Sequence, residues 1–157
     1  MVVIDLADEN ATSALAARIA RRARRQDVIA LKGDLGTGKT TFARAFIRAS
    51  GNQQDEIPSP TFTLVQIYEP EFAEAPAVWH FDLYRLRASE EVWELGIEDA
   101  FNEGISLIEW PERLGSLLPP RRLRITLEFG DRTEARRVSL DPGTGWRARL
   151  TAIAADA

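Results

Sequence analysis

The chain has 157 residues, 45% of them hydrophobic and 28% charged, with a formal net charge of -4, a globular composition of about one domain that can bury roughly 70% of its unfolded surface. It contains no cysteine, which excludes disulfides, thiolate ligands and cysteine nucleophiles and fits a reducing compartment. The acidic start MVVIDLADEN is no secretory signal, no apolar stretch approaches the roughly 18 residues of a membrane helix, and the negative balance argues against a simple electrostatic nucleic-acid binder; a soluble, cytoplasmic protein without a membrane partner is expected.

Val2 to Asp5 reads as a short edge strand, and Thr12 as the cap of an alanine-rich helix running to about Arg25. On that helix Leu15, Ile19 and Ala23 share one face, while Arg18, Arg21, Arg22 and Arg25 share another. A solvated face is the simpler account of these arginines, and contact with RNA or an acidic partner the alternative. "DVIALKG" is an apolar strand that feeds a glycine turn. Thr40 to Ser50 is helical by periodicity, with Phe42, Phe46 and Ile47 toward a core and Gly51 as the stop.

"IPSPTFTLVQIYE" is a loop entering a strand through Phe62, Leu64 and Ile67, and "EPEFAEAP" is a turn. "AVWHFDLYRL" is a strand ending near Asp82, followed by one or two short helices between Ser89 and Phe101, broken at Gly96. "GISLIEWP" is a buried strand ended by Pro111, with a helix to about Leu118 beyond it. "PPRRLRITLEFG" and "ARRVSLDPG" form a closing antiparallel pair around a Gly-Asp-Arg turn, and the tail from about residue 142 is weakly patterned. The fold class that follows is α/β: one domain over residues 1–157, with a mixed sheet flanked by helices and antiparallel strands toward the C-terminal side.

One stretch carries chemistry outright. Gly33 to Thr40 reads G-x-x-x-x-G-K-T, between a strand and a helix, and holds one of only two lysines in the chain. In such a loop successive N–H groups face a phosphate and the helix amino terminus adds positive potential. Lys39 suits the terminal phosphates as a compact point charge, and the Thr40 hydroxyl suits Mg²⁺. That ion usually takes one or two carboxylates as well. Asp82 and Glu109 stand at the carboxyl ends of apolar strands, where ligands of α/β sheets collect.

His80 is the only histidine; a strand would put it on Asp82's face, as a packed residue or as part of the site. Trp110 would point to the opposite face from Glu109 if the strand stays regular, as core or as a lid. Ser59, Thr61 and Thr63 read as turn chemistry, with a γ-phosphate switch as the alternative.

"GDLGTGKTTFARAF", "SPTFTLVQIYE", "HFDLYRL", "ELGIEDAF" and "ISLIEWPERL", in this order, resemble the TsaE (YjeE) family of small bacterial ATPases over roughly residues 28–114. The resemblance implies a phosphate-loop ATPase required for threonylcarbamoyladenosine in tRNA. Such a protein acts on a TsaD–TsaB pair and meets tRNA through that complex, without transferring the group itself. It implies ATP on Gly36, Thr37, Gly38, Lys39, Thr40 and Thr41, Mg²⁺ on Thr40 and Glu109, and Trp110 near the nucleotide. Asp82 would be essential for hydrolysis alongside Lys39, and Ser59, Thr61 and Thr63 would form a switch. Thr12 and Arg132 would touch the nucleotide from the base side. A phosphate-loop kinase for a small molecule or nucleotide is the alternative, although no arginine-rich lid segment stands out. Base reading of GTP would need an Asn/Thr-Lys-x-Asp motif, which neither Lys32 nor Lys39 provides.

Overall fold

A computed structural model describes residues 1–51, 57–72 and 74–155; residue 73, within the turn expected at 69–76, lies outside them. The strands are β1 (Val2–Leu6), β2 (Val28–Lys32), β3 (Val65–Tyr68), β4 (Val78–Asp82), β5 (Ile105–Glu109), β6 (Arg122–Phe129) and β7 (Arg136–Pro142). The α-helices are α1 (Glu9–Arg22), α2 (Lys39–Ala49), α3 (Ile97–Glu103) and α4 (Arg147–Ala155), with 3₁₀ segments at Ser89–Leu95 and Pro111–Leu117. One mixed sheet runs in the order β1-β7-β6-β2-β5-β4-β3. Its centre, β6-β2-β5-β4, is parallel; β3 closes one edge and the β7–β1 pair the other, both antiparallel.

Strand alternation divides the core in two. Ile29, Leu31, Ile105 and Leu107 face a layer with Leu15 and Ile19 of α1 and Phe42, Phe46 and Ile47 of α2. Val28, Phe81 and Ile108 face the opposite layer with Ile97 and Ala100 of α3 and Val92 and Leu114 of the 3₁₀ segments. Both strand faces are apolar because helices cover both, as parallel sheets require.

Three local expectations are corrected. The cap of α1 is Asp8, whose side chain accepts the Ala11 N–H at 2.9 Å; Thr12 is buried inside the helix. Two cap-type residues stood one turn apart, and the earlier one starts the helix. The helix also ends at Arg22, since Asp27 accepts the Arg24 N–H at 2.6 Å and draws the chain into a turn. Arg25 therefore leaves the helical face and donates to the carbonyls of Glu103 and Glu74.

Phe62 and Leu64 precede β3 rather than belonging to it: Phe62 is 83% exposed, and Leu64 turns at φ 67°. The weakly patterned tail forms α4, seated by Trp146, Leu150 and Ile153, all buried.

A bidentate pair holds α4 in place. Arg149 Nη1 donates to Asp27 Oδ2 at 2.6 Å and Nη2 to Oδ1 at 3.0 Å, with Nη1 also on Arg22 O. The guanidinium carbon lies 3.8 Å from the Trp146 ring centroid. Arg149→Leu should cost about 3 kcal/mol, because it strands a largely buried carboxylate. Urea denaturation measures this, and a loss below about 0.5 kcal/mol, the scale of an ordinary surface change, would show that the pair does not anchor the helix.

Candidate functional site

The loop between β2 and α2 is shaped by close approach and by backbone geometry. A Cβ at Gly33 would lie 2.6 Å from Thr37 Oγ1 and 2.7 Å from the Leu127 carbonyl, so only glycine lets the loop lie against β6. Gly38 sits at φ 106° as the N-cap of α2, with no side-chain cap on that helix. The opening N–H groups of α2 consequently have no side-chain acceptor from the cap, an arrangement suited to an oxyanion. Thr37 is buried and its hydroxyl donates to Asp34 O at 2.8 Å, tightening the turn.

Lys39 is 5% exposed. Its Nζ donates to Gly33 O at 2.5 Å and Asp34 O at 2.9 Å, and lies 4.4 Å from the Trp110 ring centroid. Burial lowers its pKa, opposed by the charges of Glu109, Glu112, Asp82 and Asp34.

The two strand-end carboxylates are level. Asp82 pairs with Glu109 across β4 and β5, and Glu109 pairs with Leu31 across β5 and β2. By strand alternation His80 and Asp82 share the face of Val78, and Glu109 that of Leu107, which is the α2 side. Glu109 is 2% exposed, with Oε2 2.7 Å from His80 Nε2; towards an ionised carboxylate the imidazole N–H is the donor. Asp82 accepts the Tyr84 N–H at 3.1 Å and, more distantly, the Thr61 hydroxyl at 3.4 Å. Burial raises the Asp82 pKa; the Tyr84 N–H, His80 and Thr61 lower it, whereas Glu109 adds to the rise.

These groups line a cavity of about 410 Å³ formed by Leu35, Gly36 and Gly38 to Thr41 of the loop and helix, Ser59 and Thr61, and Asp82, Tyr84, Arg85, Glu109 and Trp110. Ser59 and Thr61 hydroxyls are 2.9 Å apart. Thr63 is exposed and lies off this cavity. Thr12 is buried, with its hydroxyl 3.5 Å from Asp8 O, and does not line it. Arg132 is exposed and lines a separate cavity of about 340 Å³ beside β1 and β7. Among the described residues no three His, Asp or Glu side chains are grouped to hold a metal. A magnesium ion here would rely on Thr40, a carboxylate and nucleotide oxygens, the usual division of its ligands.

Trp110 corrects the expectation of a regular strand. At φ 59° and ψ 52° its backbone is left-handed, which ends β5; the ring packs against the α3-side core, opposite Glu109, and also lies over Lys39. Tyr84 packs against it at 5.0 Å between ring centroids. Sequence reasoning missed Tyr84, whose N–H fixes Asp82. It also missed Arg136, which reaches from β7 to the carbonyls of Gly36 and Thr37. Tyr84 had a local signal, two residues after a strand-end aspartate. Arg136, a hundred residues downstream, had none.

Two arginines of the run at 18–25 hold backbone carbonyls. Arg18 donates to Ile153 O, and Arg25 and the distant Arg121 also hold backbone carbonyls. No helix is long and apolar enough to cross a membrane, among the described residues.

Residues 6–138 match the model of the family described as Threonylcarbamoyl adenosine biosynthesis protein TsaE. The chain is 41% identical over 126 residues to the tRNA threonylcarbamoyladenosine biosynthesis protein TsaE of Rickettsia conorii, covering 80% of this chain and 70% of that one. It is 36% identical over 118 residues to the protein of the same name from Bacillus subtilis, covering 74% and 71%. The crystal structure of YdiB from Bacillus subtilis superposes with a TM-score of 0.75 at 26% identity, over 99% of this chain and 92% of that one.

The raised pKa of Asp82 has a consequence for stability. Between its unfolded and folded values the native state holds the extra proton, so the ionised carboxylate weakens the fold at neutral pH, and stability recovers as pH falls through the raised value. Asp82→Asn should therefore melt at or above the wild type at neutral pH, with the difference narrowing on acidification. A variant clearly less stable at neutral pH would contradict this.

Proposed function

The chain belongs to the TsaE family, and from that premise we propose that it is a Mg²⁺-dependent ATPase of tRNA threonylcarbamoyladenosine formation. It works in the cytoplasm on a TsaD–TsaB pair, reaches tRNA through that complex, and does not transfer the group itself. The observation that carries the reading is the convergence of Lys39, Asp82 and Glu109 on one cavity with the uncapped amino terminus of α2. The related proteins' names supply the tRNA modification.

Each residue then has a task. The N–H groups of Gly36 and of Gly38 to Thr41 bind phosphate oxygens, the Thr37 N–H being turned to Asp34 O, and Lys39 moves from its own loop carbonyls to the terminal phosphates. Thr40 and Glu109 would hold the metal, with His80 keeping the Glu109 carboxylate in one orientation. When bound, Mg²⁺ would supply charge neutralisation at the phosphates. Asp82 orients the attacking water, and the Ser59 and Thr61 hydroxyls couple it to the preceding loop. Trp110 shields Lys39 from water on the open side. Thr12 and Arg132 stand outside the cavity that holds the phosphates and are assigned to the base side only by the family pattern.

The cavity offers one further cation near the terminal phosphate, Arg85, and it is exposed and stacked 4.9 Å from the Phe62 ring centroid. A missing charge over the transferred group costs about 10³ to 10⁵ in rate. Hydrolysis should therefore be slow in the isolated protein and faster with partners.

Lys39→Ala should abolish ATP binding in calorimetry, and Glu109→Gln should lose the Mg²⁺-dependent part. Asp82→Asn should bind ATP yet turn it over poorly. Steady-state turnover, alone and then with the TsaD–TsaB pair and tRNA, tests the reading as a whole. Acceleration by the complex is expected. Fast turnover alone, unchanged by the complex, would overturn the partner-coupled reading, and phosphorylation of a small metabolite would replace it with a kinase.

A further inference from the structure

Arg136 opens β7, at the far side of the sheet from the strand-end carboxylates. Its guanidinium nevertheless reaches the phosphate loop: Nε donates to Thr37 O at 3.0 Å and Nη2 to Gly36 O at 3.2 Å. Its remaining reach is spent on the β6–β7 hairpin, where Nη1 donates to Thr133 O and Ala135 O, each at 2.8 Å. The plane is steadied by Phe129, whose ring centroid lies 5.0 Å from the guanidinium carbon. One side chain thus holds four carbonyls, two in the loop and two in the hairpin tip.

The two loop carbonyls matter for what lies on the other side of their peptide planes. A peptide unit is rigid, so holding the Thr37 carbonyl also aims the Gly38 N–H, while holding the Gly36 carbonyl fixes the Thr37 N–H on Asp34 O at 3.3 Å and so closes the turn beneath it. A cradle for phosphate needs N–H groups turned inward, and so its carbonyls turned outward need donors. Arg136 supplies them, with a positive charge that polarises both peptides in the favourable sense. A lysine could hold fewer carbonyls and would lack the fork that spans loop and hairpin.

We propose that Arg136 is a positioning residue for the phosphate cradle, one that makes the tip of the β6–β7 hairpin respond to nucleotide. The proposal rests on the nucleotide reading above. Ordering of the loop by ATP is transmitted through the four shared hydrogen bonds to residues 130–135, whose backbone bonds include Gly130 N–H to Ala135 O and Ala135 N–H to Arg132 O. The hairpin tip is then a nucleotide-dependent surface outside the cavity itself.

The test is amide hydrogen exchange of the full chain with and without Mg·ATP, together with calorimetric ATP binding by Arg136→Lys and Arg136→Met. In the wild type, ATP should slow exchange at Gly38 and at Gly130 and Ala135 together. In Arg136→Lys the slowing should persist at Gly38 and vanish in the hairpin, with melting temperature little changed. Arg136→Met should bind ATP about tenfold or more weakly. A merely structural role would loosen the hairpin equally with and without ATP and leave affinity intact. Wild-type binding matched by Arg136→Met, or hairpin exchange in the wild type indifferent to bound ATP, would overturn the inference alone. A wild type that binds no ATP would overturn the nucleotide reading and this inference with it.

Discussion

The parallel pairing of β2, β5 and β4 sets Leu31, Glu109 and Asp82 in one row across the sheet, and the arrangement of the site is built on that register. Because the β2 chain continues from this row into the glycine loop, Lys39 returns to the same end of the sheet as both carboxylates. A slip of one residue in either pairing would turn Glu109 or Asp82 to the α3 side. The apolar residues between them prevent such a slip: Phe81 and Ile108 are packed on one face, and Leu107 and Val78 on the other. Burial of ordinary hydrophobic side chains is what holds two acidic groups where burial alone would disfavour them.

Charge at this end is compensated locally. Lys39 is desolvated but sits among four carboxylates that favour its ammonium form. Glu109 is deeper still and has His80 as its direct partner. Elsewhere the chain uses arginine for a different purpose. Arg18, Arg25, Arg121, Arg136 and Arg149 all donate to backbone carbonyls at loops and helix ends. A planar fork with five donors suits such bridging, and a compact ammonium suits a phosphate. The near-exclusive use of arginine outside the loop, with lysine only at 32 and 39, follows that division of labour.

What could be read in advance is what local chemistry encodes. Gly33 to Thr40 announced its conformation through glycines, and Asp82 and Glu109 announced theirs through the apolar runs that precede them. Trp110 could not be read because a left-handed tryptophan is a product of its packing: no propensity favours it, and its ring is held by Tyr84 and Lys39. Helix α4 was obscured by Arg149, which folds onto Trp146 and pairs with Asp27 on the buried side, so the polar–apolar pattern breaks where the helix docks. Thr12 misled because serine-, threonine- and aspartate-type caps are interchangeable locally, and only the packing of the first turn decides between Asp8 and Thr12. The link from Arg136 to the loop is a contact between chain segments a hundred residues apart, beyond any local pattern.

The central claim is that loop and strand-end carboxylates form one metal–nucleotide site. It is tested most directly by a crystal structure of the full chain with Mn²⁺ and a non-hydrolysable ATP analogue, with the metal located by anomalous scattering. The account predicts phosphates on the N–H groups of Gly36 and of Gly38 to Thr41 and the metal between Thr40 and Glu109, with Asp82 free of it. A metal bound by Asp82 with Glu109 turned away, or an analogue seated elsewhere on the molecule, would contradict it.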